Sequence, residues 1–249
     1  MKIYFNFRLI SYGLLIFLFL IASYTPLFTL SPEKVHILVR EDGIIESCSA
    51  ICYFFSACLL FYLFIKSKSI KGKYILRTNR NYFFLLLGLL FVLCLGEEIS
   101  WGQRIFNINP PEWISKINRQ NEINIHNINV FHGLDENDNP KKGLAQWINL
   151  GRWYSLFWFF YCVLIHILNI FSDKTQNILR RINLPIVPIW ITPFFLFNYV
   201  LAKSIEKINF FDHLQPLTEI KENNYALLFL VVSISFYFIY KKKSQAFTT

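Results

Sequence analysis

Charge is scarce in this chain. Of its 249 residues only 16% are Asp, Glu, Lys or Arg, against about a quarter in ordinary soluble domains. Glycine and proline number nine each, too few for a collagen-like or low-complexity chain. Five cysteines are too few for a small secreted fold built on disulfides. Disorder and coiled coil are excluded as well, because hydrophobic residues make up 54% of the chain and aromatics 18%. The apolar residues come in blocks longer than a single soluble core needs. The composition is that of a membrane protein.

A helix needs about 20 mostly apolar residues to cross the hydrocarbon core. Six stretches are expected to do so, near residues 9–30, 44–65, 81–100, 153–171, 185–202 and 222–240. The expected fold is therefore all-α: a single integral-membrane domain, a bundle of six transmembrane helices. The third stretch ends on Glu97 and Glu98, and the sixth helix is expected to start near Pro216 and pass Glu219 and Glu222 on its way in. Lys2 and Arg8 precede the first apolar run, but Leu20 fits poorly before a cleavage after Ala22, so a retained anchor is expected.

Lys and Arg mark the cytoplasmic side of a membrane helix bundle. Six crossings put both termini and residues 66–80 and 172–184 on one side, where fourteen basic residues face one acid, Asp173. The net charge of +9 is thus a topology signal, with both termini cytoplasmic and, for a bacterium, the inner membrane as the location. No nucleic-acid partner is expected, since basic and aromatic residues are not interleaved on any soluble surface. Trp101, Trp113, Trp147, Trp153 and Trp158 fall at or near the outer boundary, as an aromatic belt does. All five cysteines lie within expected spans, so disulfides are not expected.

The longest stretch outside the spans is the outer loop of residues 101–152. Pro110, Pro111 and Glu112 mark a helix start there, and Ile114, Ile117, Ile125 and Ile128 recur at helical spacing around Asn121. An interfacial helix, apolar face towards the lipid, is the expectation.

Candidate chemistry gathers at the outer helix ends. Asp42 and Glu46 open the second span, with Ser49, Tyr53 and Ser56 continuing a polar stripe below them. GEEISWGQR, residues 96–104, closes the third, placing Glu97, Ser100, Trp101 and Arg104 on one face and Glu98 on another. Glu219 and Glu222 open the sixth. A carboxylate within a span costs several kcal/mol unless paired, protonated or bound to a cation, which makes each a functional candidate. If the three ends converge, a metal ion, shared protons or a cationic substrate must balance them.

QNEINIHN, residues 120–127, adds Glu122 and His126, four apart on the expected interfacial helix. Two ligands at that spacing can hold one divalent metal ion, completed by Glu97, Glu98, Asp42, Glu46, Glu219 and Glu222; a surface hydrogen bond between them is the plainer alternative. Other signals carry less. Glu33 and His36 make only one of the two ExxH pairs that a di-iron bundle needs. The DENDNP run from Asp135 lacks the Gly and Glu of a calcium loop. His166 stands alone as a packing residue, and Asp212 and His213 sit in a loop.

GEEISWGQR followed some 15 residues later by QNEINIHN resembles a family of uncharacterised bacterial multi-pass membrane proteins. The resemblance covers residues 96–127 and, more loosely, the acidic starts of the second and sixth spans. It singles out Glu97, Glu98, Trp101, Gln103, Arg104, Asn121, Glu122, His126 and Asn127, and it implies no activity.

Three functions fit. The first is a membrane-embedded hydrolase or transferase acting on a lipid or lipid-linked substrate, with Glu97, Glu98, Glu122 and His126 at its metal-assisted centre and Arg104 orienting the substrate. The second is a non-catalytic accessory or assembly protein whose polar cluster ties helix ends together. The third is a cation or proton transporter, which the near-absence of ionisable residues in the cytoplasmic halves of the spans disfavours.

Overall fold

The structure is a computed structural model that describes residues 7–40, 43–67, 79–103, 105–119, 121–133, 139, 141–208 and 215–246. In chain order the helices are α1 (Phe7–Tyr24), α2 (Pro26–Thr29), α3 (Pro32–Val39), α4 (Ile44–Lys66), α5 (Tyr82–Glu98), α6 (Glu112–Ser115), α7 (Leu150–Trp158), α8 (Ile165–Phe171), α9 (Asp173–Ile182), α10 (Thr192–Lys207) and α11 (Gln215–Ala246). The protein is all-helical. Among the described residues there is no strand, only one isolated antiparallel bridge between Asn118 and Ile128.

Among the described residues four stretches are long and apolar enough to cross a membrane: Leu9–Thr29, Pro32–Lys66, Leu150–Phe171 and Gln215–Lys242. The third of these is not a uniform helix, because Phe159–Leu164 widens into a π-helical segment between α7 and α8. Residues 185–191 are not helical, although a span is expected from Pro185. Pro185 and Pro188 lack the amide that a helix interior needs, so α10 starts only at Thr192, with Pro193 in its first turn where that amide is not missed.

The core runs along α11. Leu228 and Phe229 are fully buried, as are Leu60 and Leu63 of α4 and Phe195 of α10. Tyr225 stacks on Trp158 at 4.9 Å between ring centroids and on Phe195 at 6.0 Å. The outward faces are apolar too: Leu15 is 64% exposed, Leu86 60% and Phe238 60%. A bundle with apolar residues both inside and outside suits lipid as its solvent.

Polar groups inside the bundle are tied across helices. The Tyr24 hydroxyl donates to Asn198 Oδ1 at 2.8 Å, and Asn224 Nδ2 donates to the same oxygen at 3.0 Å and to Ser23 Oγ at 2.9 Å. Asn198 Nδ2 in turn donates to the Lys221 carbonyl at 3.0 Å. This network joins α1, α10 and α11.

A second set of bonds gathers the basic helix ends. The Tyr240 hydroxyl donates to the Lys66 carbonyl at 2.5 Å. The Asn81 amide donates to Ser67 Oγ at 2.9 Å, and Asn81 Nδ2 to the Asn183 carbonyl at 2.9 Å. The end of α11, the end of α4, the start of α5 and the end of α9 are therefore neighbours. Lys66, Arg80, Arg180, Arg181, Lys241 and Lys242 collect at this one end of the bundle.

Candidate functional site at the acidic end of the bundle

α5 ends abruptly. Ser100, Trp101 and Gly102 take left-handed φ values of 46°, 53° and 81°, which turns the chain back on the helix it has just left. Left-handed backbone costs a non-glycine residue of order 1 kcal/mol or more, so surrounding contacts must hold Ser100 and Trp101 in place. The turn lays the Trp101 indole over Gly96, where a Cβ would come within 2.8 Å of the ring. Trp101 Nε1 then donates to Glu97 Oε1 at 2.8 Å.

The other Glu97 oxygen holds the loop that follows α5. Oε2 accepts from the backbone amides of Ile125 and His126, both at 2.8 Å, and pairs with His126 Nδ1 at 3.0 Å. Gln103 completes the clasp: its Oε1 accepts from the Ile123 amide at 2.7 Å and its Nε2 donates to the Asn121 carbonyl at 3.2 Å.

The loop itself is not the interfacial helix that the isoleucine spacing predicts. Helix α6 covers only Glu112–Ser115, and the chain then closes on itself through the Asn118–Ile128 bridge. Asparagine side chains displace the helix by supplying local partners for the backbone. Asn118 Nδ2 donates to the Asn124 carbonyl at 2.9 Å, Asn118 Oδ1 accepts from the Glu122 amide at 3.3 Å, and Asn121 adopts a left-handed φ of 57°.

As a result Glu122 and His126 do not share a face. Glu122 is 5% exposed and accepts from Ser100 Oγ at 2.9 Å and from Asn124 Nδ2. His126 is open by comparison, its side chain 48% exposed. Partial burial pulls its pKa down, but the Glu97 hydrogen bond and charge, with Glu222 and Glu219 behind them, outweigh this and leave it above the ordinary histidine value.

The acidic helix ends do come together. Glu98 lies within Coulombic reach of Glu222, Glu219 and Glu46, Glu219 lies within reach of Glu222 and Glu46, and His126 lies within reach of Glu219 and Glu222. The polar stripe of α4 continues beneath them: Ser49 Oγ donates to Asn223 Oδ1 at 3.2 Å, and the Tyr53 and Tyr154 hydroxyls share a 2.8 Å hydrogen bond. Among the described residues no three His, Cys, Asp or Glu side chains are disposed to hold one metal ion. The expected ligand set is split, because Glu122 and two-thirds of the bonding to Glu97 Oε2 serve the loop backbone and its asparagines rather than a common centre. Asp42 and Arg104 lie outside the described residues, as do Asp135, Asp212 and His213. Glu33 and His36 are exposed, and His166 is buried.

Ser100 and Asn124 are parts of the clasp to which sequence reading gave no partner. The signal was present in the motif itself, since Ser100 sits between Glu97 and Gln103 and Asn124 lies inside QNEINIHN. Asn198 and Asn224 are further such residues, since an amide within an apolar run must find a partner.

The helices and their surfaces define an integral membrane protein with a carboxylate–histidine cluster at one end. Compared with protein-family models, with curated proteins and with solved structures, the chain matches none. The functional reading therefore rests on the geometry just described.

Proposed function

We propose that this chain crosses a bacterial inner membrane six times, with both termini in the cytoplasm, and that the outer cluster is an acid–base centre acting on a lipid or lipid-linked substrate. α5 and α10 complete the set of spans. At 1.5 Å per residue, the 17 residues of α5 reach about 26 Å, close to the roughly 30 Å of hydrocarbon to be crossed. The collection of basic residues at the opposite end supports the orientation. A C-terminal reporter that is active only in the cytoplasm tests it, and a reporter active only outside overturns it.

The observation that carries the chemistry is the His126–Glu97 pair. A neutral imidazole that donates Nδ1–H to a carboxylate presents the Nε2 lone pair as a base. Glu97 is itself fixed by Trp101 Nε1 and two loop amides, so the ring is pre-oriented, as an acid–base catalyst must be. His126 would take a proton from water or from a lipid hydroxyl as that oxygen attacks, and return it to the leaving group. Exposed Ile105, Phe106, Trp113 and Trp153 around this end suit a substrate presented from the bilayer. Proton transfer falls to His126.

The test is mass spectrometry of lipids extracted from the host membrane and incubated with purified protein. A product made by wild type and lost in folded His126→Ala supports the reading. No product from well-folded wild type overturns it. The second reading, an accessory protein whose clasp is structural, is favoured by the four hydrogen bonds that Glu97 accepts and by the burial of Glu122. Its sign is a His126→Ala protein that keeps every cellular role while Glu97→Ala loses its fold.

A further inference from the structure

We infer that α9 forms, at the basic end of the bundle, a binding surface for anionic phospholipid head groups. It does not rest on the acid–base reading of the opposite end and fails or holds separately from it. α9 follows α8 after a single residue, Ser172, whose side chain caps the new helix by accepting from the Thr175 amide at 3.2 Å. The helix buries Leu179 against the bundle, with Thr175 and Ile182 half-buried beside it. Its other face exposes Lys174, Asn177, Arg180 and Arg181. Among the described residues none of these three cations has an ion-pair partner, and Asp173 is the only acid on the helix.

Charge alone would suit any acidic partner, but the apolar residues choose among them. Ile178 is 47% exposed and lies four residues after Lys174 and three before Arg181, so both cations flank it on the helix surface. Just before α9, Ile170 is 51% and Phe171 83% exposed. An exposed apolar edge bordered by cations, at the end of an apolar helical run, fits a helix lying in the interface with its cations at phosphate level. The Asn81–Asn183 bond holds the end of this helix beside the start of α5, so the surface is fixed to the bundle rather than loosely attached.

The test uses the full-length protein in detergent and native mass spectrometry, with phosphatidylglycerol and phosphatidylcholine of matched chains as probes. Wild type should retain phosphatidylglycerol in preference. Each cation removed should lower that preference by about fivefold, so Lys174→Gln/Arg180→Gln/Arg181→Gln should abolish it. The charge-conserving Arg180→Lys/Arg181→Lys protein should keep it. Equal retention of the two lipids by wild type overturns the inference and leaves the cationic face to a soluble acidic partner. Full retention by the triple variant overturns it as well. If the triple variant unfolds, the single Arg180→Gln and Arg181→Gln variants decide, and an unchanged preference in both overturns it.

Discussion

Glu97 grips His126 twice through one oxygen: Oε2 accepts the backbone amide at 2.8 Å and meets ring Nδ1 at 3.0 Å. The backbone bond survives any change to the histidine side chain, whereas the ring bond does not. Structure and chemistry at this residue are therefore separable by mutation.

Glu97→Ala removes all four acceptor interactions, including those to the Ile125 and His126 amides. Hydrogen bonds to a charged group contribute about 1.5–3 kcal/mol each but are not additive, so a loss of about 3 kcal/mol or more is expected, with fast exchange at the Ile125 and His126 amides. His126→Ala should cost about 1 kcal/mol and leave those amides protected. Equal exchange in the two variants would show that the carboxylate does not hold the loop.

Gly96 and Trp101 form a second testable pair. A methyl group at position 96 would meet the indole at 2.8 Å, and the ring must swing away, breaking its bond to Glu97. Gly96→Ala is expected to destabilise by about 1–3 kcal/mol. In a Trp101→Ala background there is no ring to displace, so the same change should be close to neutral. A double-mutant cycle by thermal unfolding reads the coupling, and additivity of the two changes would refute the contact.

The His126 pair also sets a pH dependence. Its folded pKa is above the ordinary value of 6.5, so protonated His126 stabilises the clasp fully below about pH 6.5. That contribution is lost as pH rises through the folded pKa. The groups that face the ring are Glu97 from α5 and Glu219 and Glu222 from α11. The margin in melting temperature of wild type over His126→Gln should be largest near pH 6 and shrink towards pH 9. A margin that grows with pH would reverse the sign of the interaction. If His126 also acts as a base, turnover should rise over the same interval as stability falls.

The all-helical membrane character was legible because apolar length is a property of the sequence alone. The loop after α5 was not, because Ile114, Ile117, Ile125 and Ile128 keep a helical period that asparagine chemistry overrides. The Asn118 side chain bonds to the Asn124 carbonyl and the Glu122 amide, and Asn121 adopts a left-handed φ; periodicity carries no information about that competition. The same limit governed Glu122 and His126. Their spacing of four implies a shared face only if a helix connects them, and without it one residue is buried beside Ser100 while the other faces outward. The convergence of Glu46, Glu98, Glu219 and Glu222 depends on how three helices are arranged around each other, which no local pattern encodes.

Asn198 gives the sharpest test of the bundle interior. It is fully buried, and its side chain accepts from Tyr24 and Asn224 while donating to the Lys221 carbonyl. Asn198→Leu keeps the branched shape but strands two donors and one carbonyl between α1, α10 and α11. Interhelical hydrogen bonds in membranes average only about 0.6 kcal/mol each, with values up to about 1.7, because unfolded helices in lipid find other partners. Three such bonds predict a total loss of about 2 kcal/mol, well below what the same network would cost in a water-soluble core. Unfolding of Asn198→Leu in mixed micelles measures it. A loss near 2 kcal/mol fits helices already inserted before they associate, whereas a loss of about 5 kcal/mol or more would mean that the unfolded segments reach water.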